Sequence, residues 1–148
     1  MLSNSSKYAI RAVLYLVPNS NKQNKLGSKF LADALQVPEP FLAKLLQQLV
    51  RNKLLLSSKG PHGGFYISKD SAKKSTVCDI VEIIDGRAMF DTCFMGLDEC
   101  SAANPCPLHH LVVIFKENIY SKFKDINLME FAKDIEAKGL LLSLKSEN

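Results

Sequence analysis

The chain has little of what would mark it as a membrane, secreted or enzymatic protein. Its uninterrupted apolar runs, such as Leu111 to Phe115, fall far short of the ~20 residues a spanning helix needs. No cationic start leads into an apolar segment and a small-residue cleavage site, and Lys7 and Arg11 sit inside a helical pattern. The reading is a cytoplasmic protein, in which the four cysteines are not expected to form structural disulfides. There is no internal repeat and no low-complexity segment. There is also no nucleophile–base constellation, no phosphate-cradling loop and no readable pair of carboxylates, so no enzyme is expected.

What is present is 148 residues with a 47% apolar fraction, enough for one domain or a small domain with an extension. The informative stretch runs from Ser28 to Ser68. Ser28 is expected to cap a short helix, Lys29 to Leu35, and Gln36-Val37-Pro38-Glu39-Pro40 reads as a turn that no continuous helix can cross. A second helix opens near Pro40, a residue suited to the first helical position, and ends near Asn52. Its apolar set, Phe41, Leu42, Leu45, Leu46, Leu49 and Val50, has helical spacing. The opposite face carries Lys44, Gln47, Gln48 and Arg51, long donors able to bond base edges or phosphates.

Two short apolar runs then flank Lys59-Gly60-Pro61-His62-Gly63-Gly64, a hairpin signal with Lys59 and His62 at its tip. Helix-turn-helix followed by a hairpin is a winged helix. The expected fold is mainly α with this one small β-hairpin. Ser28, Pro40, Lys44, Gln47, Gln48 and Arg51 on the helices, with Lys59, Gly60, Pro61, His62 and Gly63 on the wing, form the candidate DNA-binding set. From Lys22 to Lys69 eight Lys or Arg face two acids, Asp33 and Glu39, so this module carries +6 in a chain whose net charge is +4. A basic module on an otherwise mildly acidic protein is the footprint of a polyanionic partner.

Ahead of this module, Ser5 or Ser6 is expected to cap a buried first helix, Lys7 to Val17, that Pro18 helps to end. Behind it, Asp70 to Lys74 reads as a polar link. Thr76 then caps a helix that closes at Gly86 and buries Cys78 as a small apolar residue. A long helix, Leu108 to Phe123, is apolar on more than one face and is expected to pair with a second copy. Asn127 to Glu130 resembles a capping box opening a last helix, and Leu140 to Asn148 is a leucine-bearing tail.

Three cysteines fall within 14 residues, spaced Cys93-x6-Cys100-x5-Cys106, and His109 and His110 follow. Thiolate and imidazole are ligands of zinc, iron–sulfur clusters and soft metals, but the Cys-x2-Cys pairs usual in zinc ribbons are missing. Chemistry alone leaves three readings: a metal or cluster site, redox thiols, or core cysteines. His109 lies about a turn from Cys106; His110 points away.

These residues together resemble the bacterial winged-helix regulators that include IscR, NsrR and CymR. The likeness covers roughly Ser6 to Asp134 and runs through Lys7-Tyr8-Ala9, Leu31-Ala32 to Leu49, Lys59 to Phe65, Val77 to Asp85, the three cysteines and Asn127 to Glu130. It implies a homodimeric transcription factor with a long dimerisation helix, acting on a palindromic DNA operator. It divides the chain into a DNA-binding domain (1–86), a sensor loop (87–106) and a dimerisation segment (107–148). In many members three cysteines of this loop bind an iron–sulfur cluster, and Cys93, Cys100 and Cys106 match them. In IscR-like members a histidine, here His109, is the fourth ligand of a 2Fe–2S cluster. NsrR-like members that bind a 4Fe–4S cluster can use an acid where this chain has Lys7, which favours the 2Fe–2S set. Other members hold no cluster and respond to thiol oxidation or a protein partner, which is the alternative reading.

Overall fold

The computed structural model describes residues 2–140 and 142. Among the described residues, eight helices and two strands follow in the order α1 (Asn4–Asn19), α2 (Ser28–Leu35), α3 (Glu39–Arg51), β1 (Leu56–Ser58), β2 (Gly64–Tyr66), α4 (Lys69–Lys74), α5 (Val77–Asp85), α6 (Ala88–Asp91), α7 (His109–Asp125) and α8 (Leu128–Ala137). The expected architecture, mainly helical with one hairpin, is what the chain adopts.

One apolar core holds the first half of the chain together. Ala9, Ala12, Val13 and Leu16 of α1 meet Leu31 and Leu35 of α2, Leu42, Leu46 and Leu49 of α3, and Ile80 and Val81 of α5. The last helix closes the same core with Leu128 and Ala132. α5 packs against α1 and α3 and also against α7, so it joins the winged-helix module to the long helix. Its start is held by a reciprocal capping box between Thr76 and Asp79. Gly86, at φ 78°, ends it as expected.

The wing is an antiparallel pair in the register Leu56↔Tyr66, Ser57↔Phe65 and Ser58↔Gly64. Leu26 adds a one-residue backbone rung on the other edge of β2, exchanging hydrogen bonds of 2.9 and 2.8 Å with Phe65. That rung explains the last glycine of the tip, Gly64. A Cβ on Gly64 would lie 2.7 Å from the Leu26 backbone, and its φ of +142° is itself costly for other residues.

Four local expectations are corrected. α1 starts at Asn4, capped by Ser3 rather than Ser5 or Ser6, and runs through Pro18 to Asn19. The proline falls in the last turn, where the Asn19 side chain bonds Tyr15 O at 2.8 Å and Ser20 Oγ bonds Leu16 O at 2.8 Å, so the carbonyls just after Leu14 keep partners. Ser28 does not cap α2: Gly27 holds that position, and the Ser28 hydroxyl turns to Glu39 instead. The link at 69–74 is helical, because Ser68 caps it through Ser71 N and Ala72 gives it an apolar anchor facing α8. The segment after Gly86 contains one helical turn, α6. The tail, Leu140 to Asn148, lies outside the described residues apart from Leu140 and Leu142.

Candidate DNA interface and metal centre

The helix-turn-helix is set by two local devices. Gln36 adopts the left-handed conformation, φ 55°, and lets Val37 N reach back to Ala32 O at 3.0 Å, closing α2. Pro38 then enters extended as the N-cap of α3, and Pro40 lies in its first turn. From there Pro40, Lys44, Gln47 and Arg51 recur at spacings of four, three and four and are all exposed, forming one solvent-facing stripe. Gln48 flanks the stripe and is half-buried. Lys59, Gly60, Pro61 and His62 are exposed at the wing tip. Gly63 has a structural reason of its own, since a Cβ there would lie 2.3 Å from Ser58 O. Ser28, half-buried, donates to Glu39 Oε1 at 2.9 Å and so ties the starts of α2 and α3 together.

The cysteine loop is built from consecutive tight turns. Backbone hydrogen bonds close Cys93 to Gly96 at 3.0 Å, Leu97 to Cys100 at 3.2 Å, Ser101 to Asn104 at 3.2 Å and Cys106 to His109 at 3.0 Å. Gly96 takes a positive φ of 71° in the first of them. Folding the chain back at this rate brings residues 93, 100 and 106 to one point: their sulfurs all lie within 4.8 Å of one another. Cys93 Sγ is 3.8 Å from Cys106 Sγ, and the Cys106 N–H points at Cys100 Sγ at 3.4 Å. His109, the first residue of α7, brings Nδ1 to 3.2 Å from Cys100 Sγ. Its imidazole therefore meets Cys100, while its main-chain N–H bonds the Cys106 carbonyl. His110 is exposed, as expected. Phe90, Val112 and Val113 line the cavity behind the sulfurs, and Lys116 of α7 donates to the Thr92 carbonyl beside them.

The thiols are not equivalent. The N–H groups of Leu97 and Met95 point at Cys93 and pull its pKa down to about 7. The Cys106 N–H acts the same way on Cys100, but burial and the adjoining sulfurs outweigh it and leave that thiol above its ordinary value. Cys78, buried on α5, is pushed up to about 11 by burial and by Glu82. That is the state of an inert core thiol, as the sequence suggested. Three thiolates with one imidazole are soft and borderline donors. They suit an iron–sulfur cluster or zinc and do not suit magnesium or calcium.

Two relationships had no signal in the sequence. Asp85, at the end of α5, accepts hydrogen bonds of 2.6 to 2.7 Å from the hydroxyls of Ser3 and Ser6 on α1. Tyr120 of α7 donates to Glu82 of α5. Neither pair is periodic or close in the chain.

A winged helix-turn-helix that carries its positive charge on the recognition module defines a DNA-binding transcription regulator rather than an enzyme. Comparison with known proteins names the group. Residues 2–134 match the Rrf2 family, described as iron-dependent transcriptional regulators, and the chain belongs to that family. It is 32% identical over 142 residues to an HTH-type transcriptional regulator of Aquifex aeolicus, covering 95% of this chain and 96% of that one. It is 28% identical over 138 residues to the HTH-type transcriptional regulator IscR of Xenorhabdus nematophila, covering 91% and 80% respectively. In fold it is similar to CymR, the global cysteine regulator of B. subtilis, with a TM-score of 0.71 at 18% identity over 90% of this chain and 97% of that one.

Proposed function

We propose that this regulator is a homodimer whose operator affinity is set by an iron–sulfur cluster held by Cys93, Cys100, Cys106 and His109. The observation that carries the reading is the convergence of three sulfurs within 4.8 Å of one another, with His109 Nδ1 3.2 Å from one of them. A histidine as the fourth donor, with Lys7 where a 4Fe–4S set can use an acid, supports a 2Fe–2S cluster over a 4Fe–4S one. When bound, that group supplies a crosslink sensitive to oxidation, nitric oxide and iron supply.

The chain's own part is mechanical. Three of the donors sit on successive turns between α6 and α7, a segment with few buried apolar residues to hold it, and the fourth, His109, opens α7. Ligating them orders the sensor loop (87–106) between the DNA-binding unit (1–86) and the dimerisation segment (107–148). In a dimer this sets the spacing and tilt of the two recognition helices. Leu111, Ile114 and Phe115 are 73%, 62% and 48% exposed and share one side of α7, an apolar stripe that supports pairing with a second copy. A two-fold pair suits a palindromic operator in the cytoplasm. There Pro40, Lys44, Gln47, Gln48 and Arg51 enter the major groove. Ser28, through its main-chain N–H at the start of α2, and the wing residues Lys59, Gly60, Pro61, His62 and Gly63 meet the backbone.

Anaerobic preparation with an ultraviolet–visible spectrum and an iron and sulfide assay tests the cluster. The expected result is a brown protein with about two irons and two sulfides per chain. A colourless protein that stays metal-free after reconstitution overturns this reading. It would leave a second, cluster-free one, supported by the 3.8 Å separation of Cys93 and Cys106 and the lowered Cys93 pKa. In that case a two-electron oxidant joins the two sulfurs as a disulfide, with release of two protons.

A further inference from the structure

The recognition module carries eight bases and two acids, and one of those acids, Glu39, is the first residue of the recognition helix itself. It is exposed, and no ion pair neutralises it among the described residues: the ion pairs found there join Lys74 to Asp70 and Arg87 to Asp91. Its Oε1 accepts the Ser28 hydroxyl at 2.9 Å across 11 residues of chain. A carboxylate has room for about four hydrogen bonds, so Oε2 keeps its capacity for a ligand. The helix dipole welcomes an acid in this turn, but that alone does not require the cross-helix tie to Ser28.

We infer that Glu39 reads a base, accepting a hydrogen bond from the exocyclic amino group of cytosine in the major groove, and that Ser28 aims it. The inference rests on the DNA-binding role proposed for α3. In helix-turn-helix proteins the first residues of the recognition helix reach the base edges. A carboxylate there meets phosphates only with repulsion. Guanine offers it two acceptors, thymine a carbonyl acceptor, and adenine an amino group beside an acceptor nitrogen. Cytosine alone presents a donor without a competing acceptor. The same negative charge lowers affinity for every duplex that lacks cytosine at this place, so Glu39 contributes selectivity rather than strength.

The test is selection from a random-sequence duplex library with the full-length dimer, comparing wild type with Glu39→Gln, Glu39→Ala and Ser28→Ala. Circular dichroism and size checks on each variant establish folding. Wild type is expected to enrich cytosine at one position per half-site, with about 5- to 100-fold weaker binding when it is replaced. Glu39→Gln should move that preference to adenine, whose N6 and N7 suit an amide. Glu39→Ala should erase it and raise affinity for unselected DNA, while Ser28→Ala should narrow the ratio without changing the order of bases. A wild-type motif left intact by both Glu39 variants overturns the assignment alone. A ratio unchanged by Ser28→Ala overturns the aiming role. A folded wild-type protein that enriches no sequence overturns the recognition surface and the assignment together.

Discussion

The Tyr120 hydroxyl on α7 donates a 3.0 Å hydrogen bond to Glu82 Oε1 on α5, bridging 38 residues of chain. The ring beneath it stacks edge-on against Phe90 of α6 with centroids 5.0 Å apart, and Arg87 and Lys124 approach it at 5.6 and 4.9 Å. The Cys78 sulfur lies 3.5 Å from the same carboxylate oxygen. Tyr120 therefore fastens the long helix both to the DNA-binding unit and to the start of the cysteine loop.

Tyr120→Phe keeps the stack and removes the hydroxyl. A small loss of stability, seen as a lower midpoint in denaturant titration, is expected. Tyr120→Ala should cost more, because the aromatic and cation contacts go as well. Equal stability of wild type and Tyr120→Phe would show that water replaces the bond at no cost.

Asp85→Ala strands the hydroxyls of Ser3 and the fully buried Ser6, both of which now reach that carboxylate at 2.6 to 2.7 Å. Hydrogen bonds to a charged group contribute about 1.5 to 3 kcal/mol, and a loss in that range is expected from thermal or denaturant melting. Amide exchange in the first turn of α1 should rise in the same variant, which localises the effect.

Gly64→Ala places a methyl group 2.7 Å from the Leu26 backbone at a φ of +142°. The rung between Leu26 and Phe65 must part. The expected outcome is a loss of more than about 1 kcal/mol, with weakened operator binding in fluorescence anisotropy. Gly60→Ala, where nothing lies within 4 Å of the new Cβ, meets only the cost of its φ of +100° and should be milder.

Lys59→Ala should weaken binding by similar factors on all duplexes and lower the slope of log affinity against log salt by about 1, the signature of a lost phosphate contact. Gln47→Ala and Gln48→Ala should instead alter sequence preference. Anisotropy at two salt concentrations distinguishes the two patterns, and unchanged binding in all three variants would displace the recognition surface from α3 and the wing.

Cys78 links stability to alkaline pH. Its folded pKa stands at about 11 against an ordinary 9.0. The folded state thus holds the proton more tightly, so stability is full below pH 9 and falls as pH rises toward 11. Cys78→Ala should flatten that decline in melting curves across the same window while leaving the neutral-pH fold intact.

Most of the fold was legible because its signals are local. The apolar spacing of Leu42 to Leu49, the proline pair around Glu39 and the glycines of the wing each act within a few residues. The errors were also local. Ser28 looked like a cap from its residue type, but Gly27 takes the cap position one residue earlier, and the Ser28 hydroxyl donates to Glu39. Asp70 to Lys74 looked like a link because its charged residues carry no periodic stripe, but one alanine under a serine cap was enough to fold Lys69 to Lys74 as a helix.

By itself the sequence determined the winged-helix order, the basic character of the recognition module and the presence of three soft donors near a histidine. Residue type and spacing encode backbone preference and charge directly. Only the tertiary structure decided which atoms meet: Tyr120 with Glu82, Asp85 with Ser3 and Ser6, Ser28 with Glu39, and His109 with Cys100. Those contacts join elements whose separation in the chain follows no period. They depend on how the helices pack around the shared core, which no local pattern records.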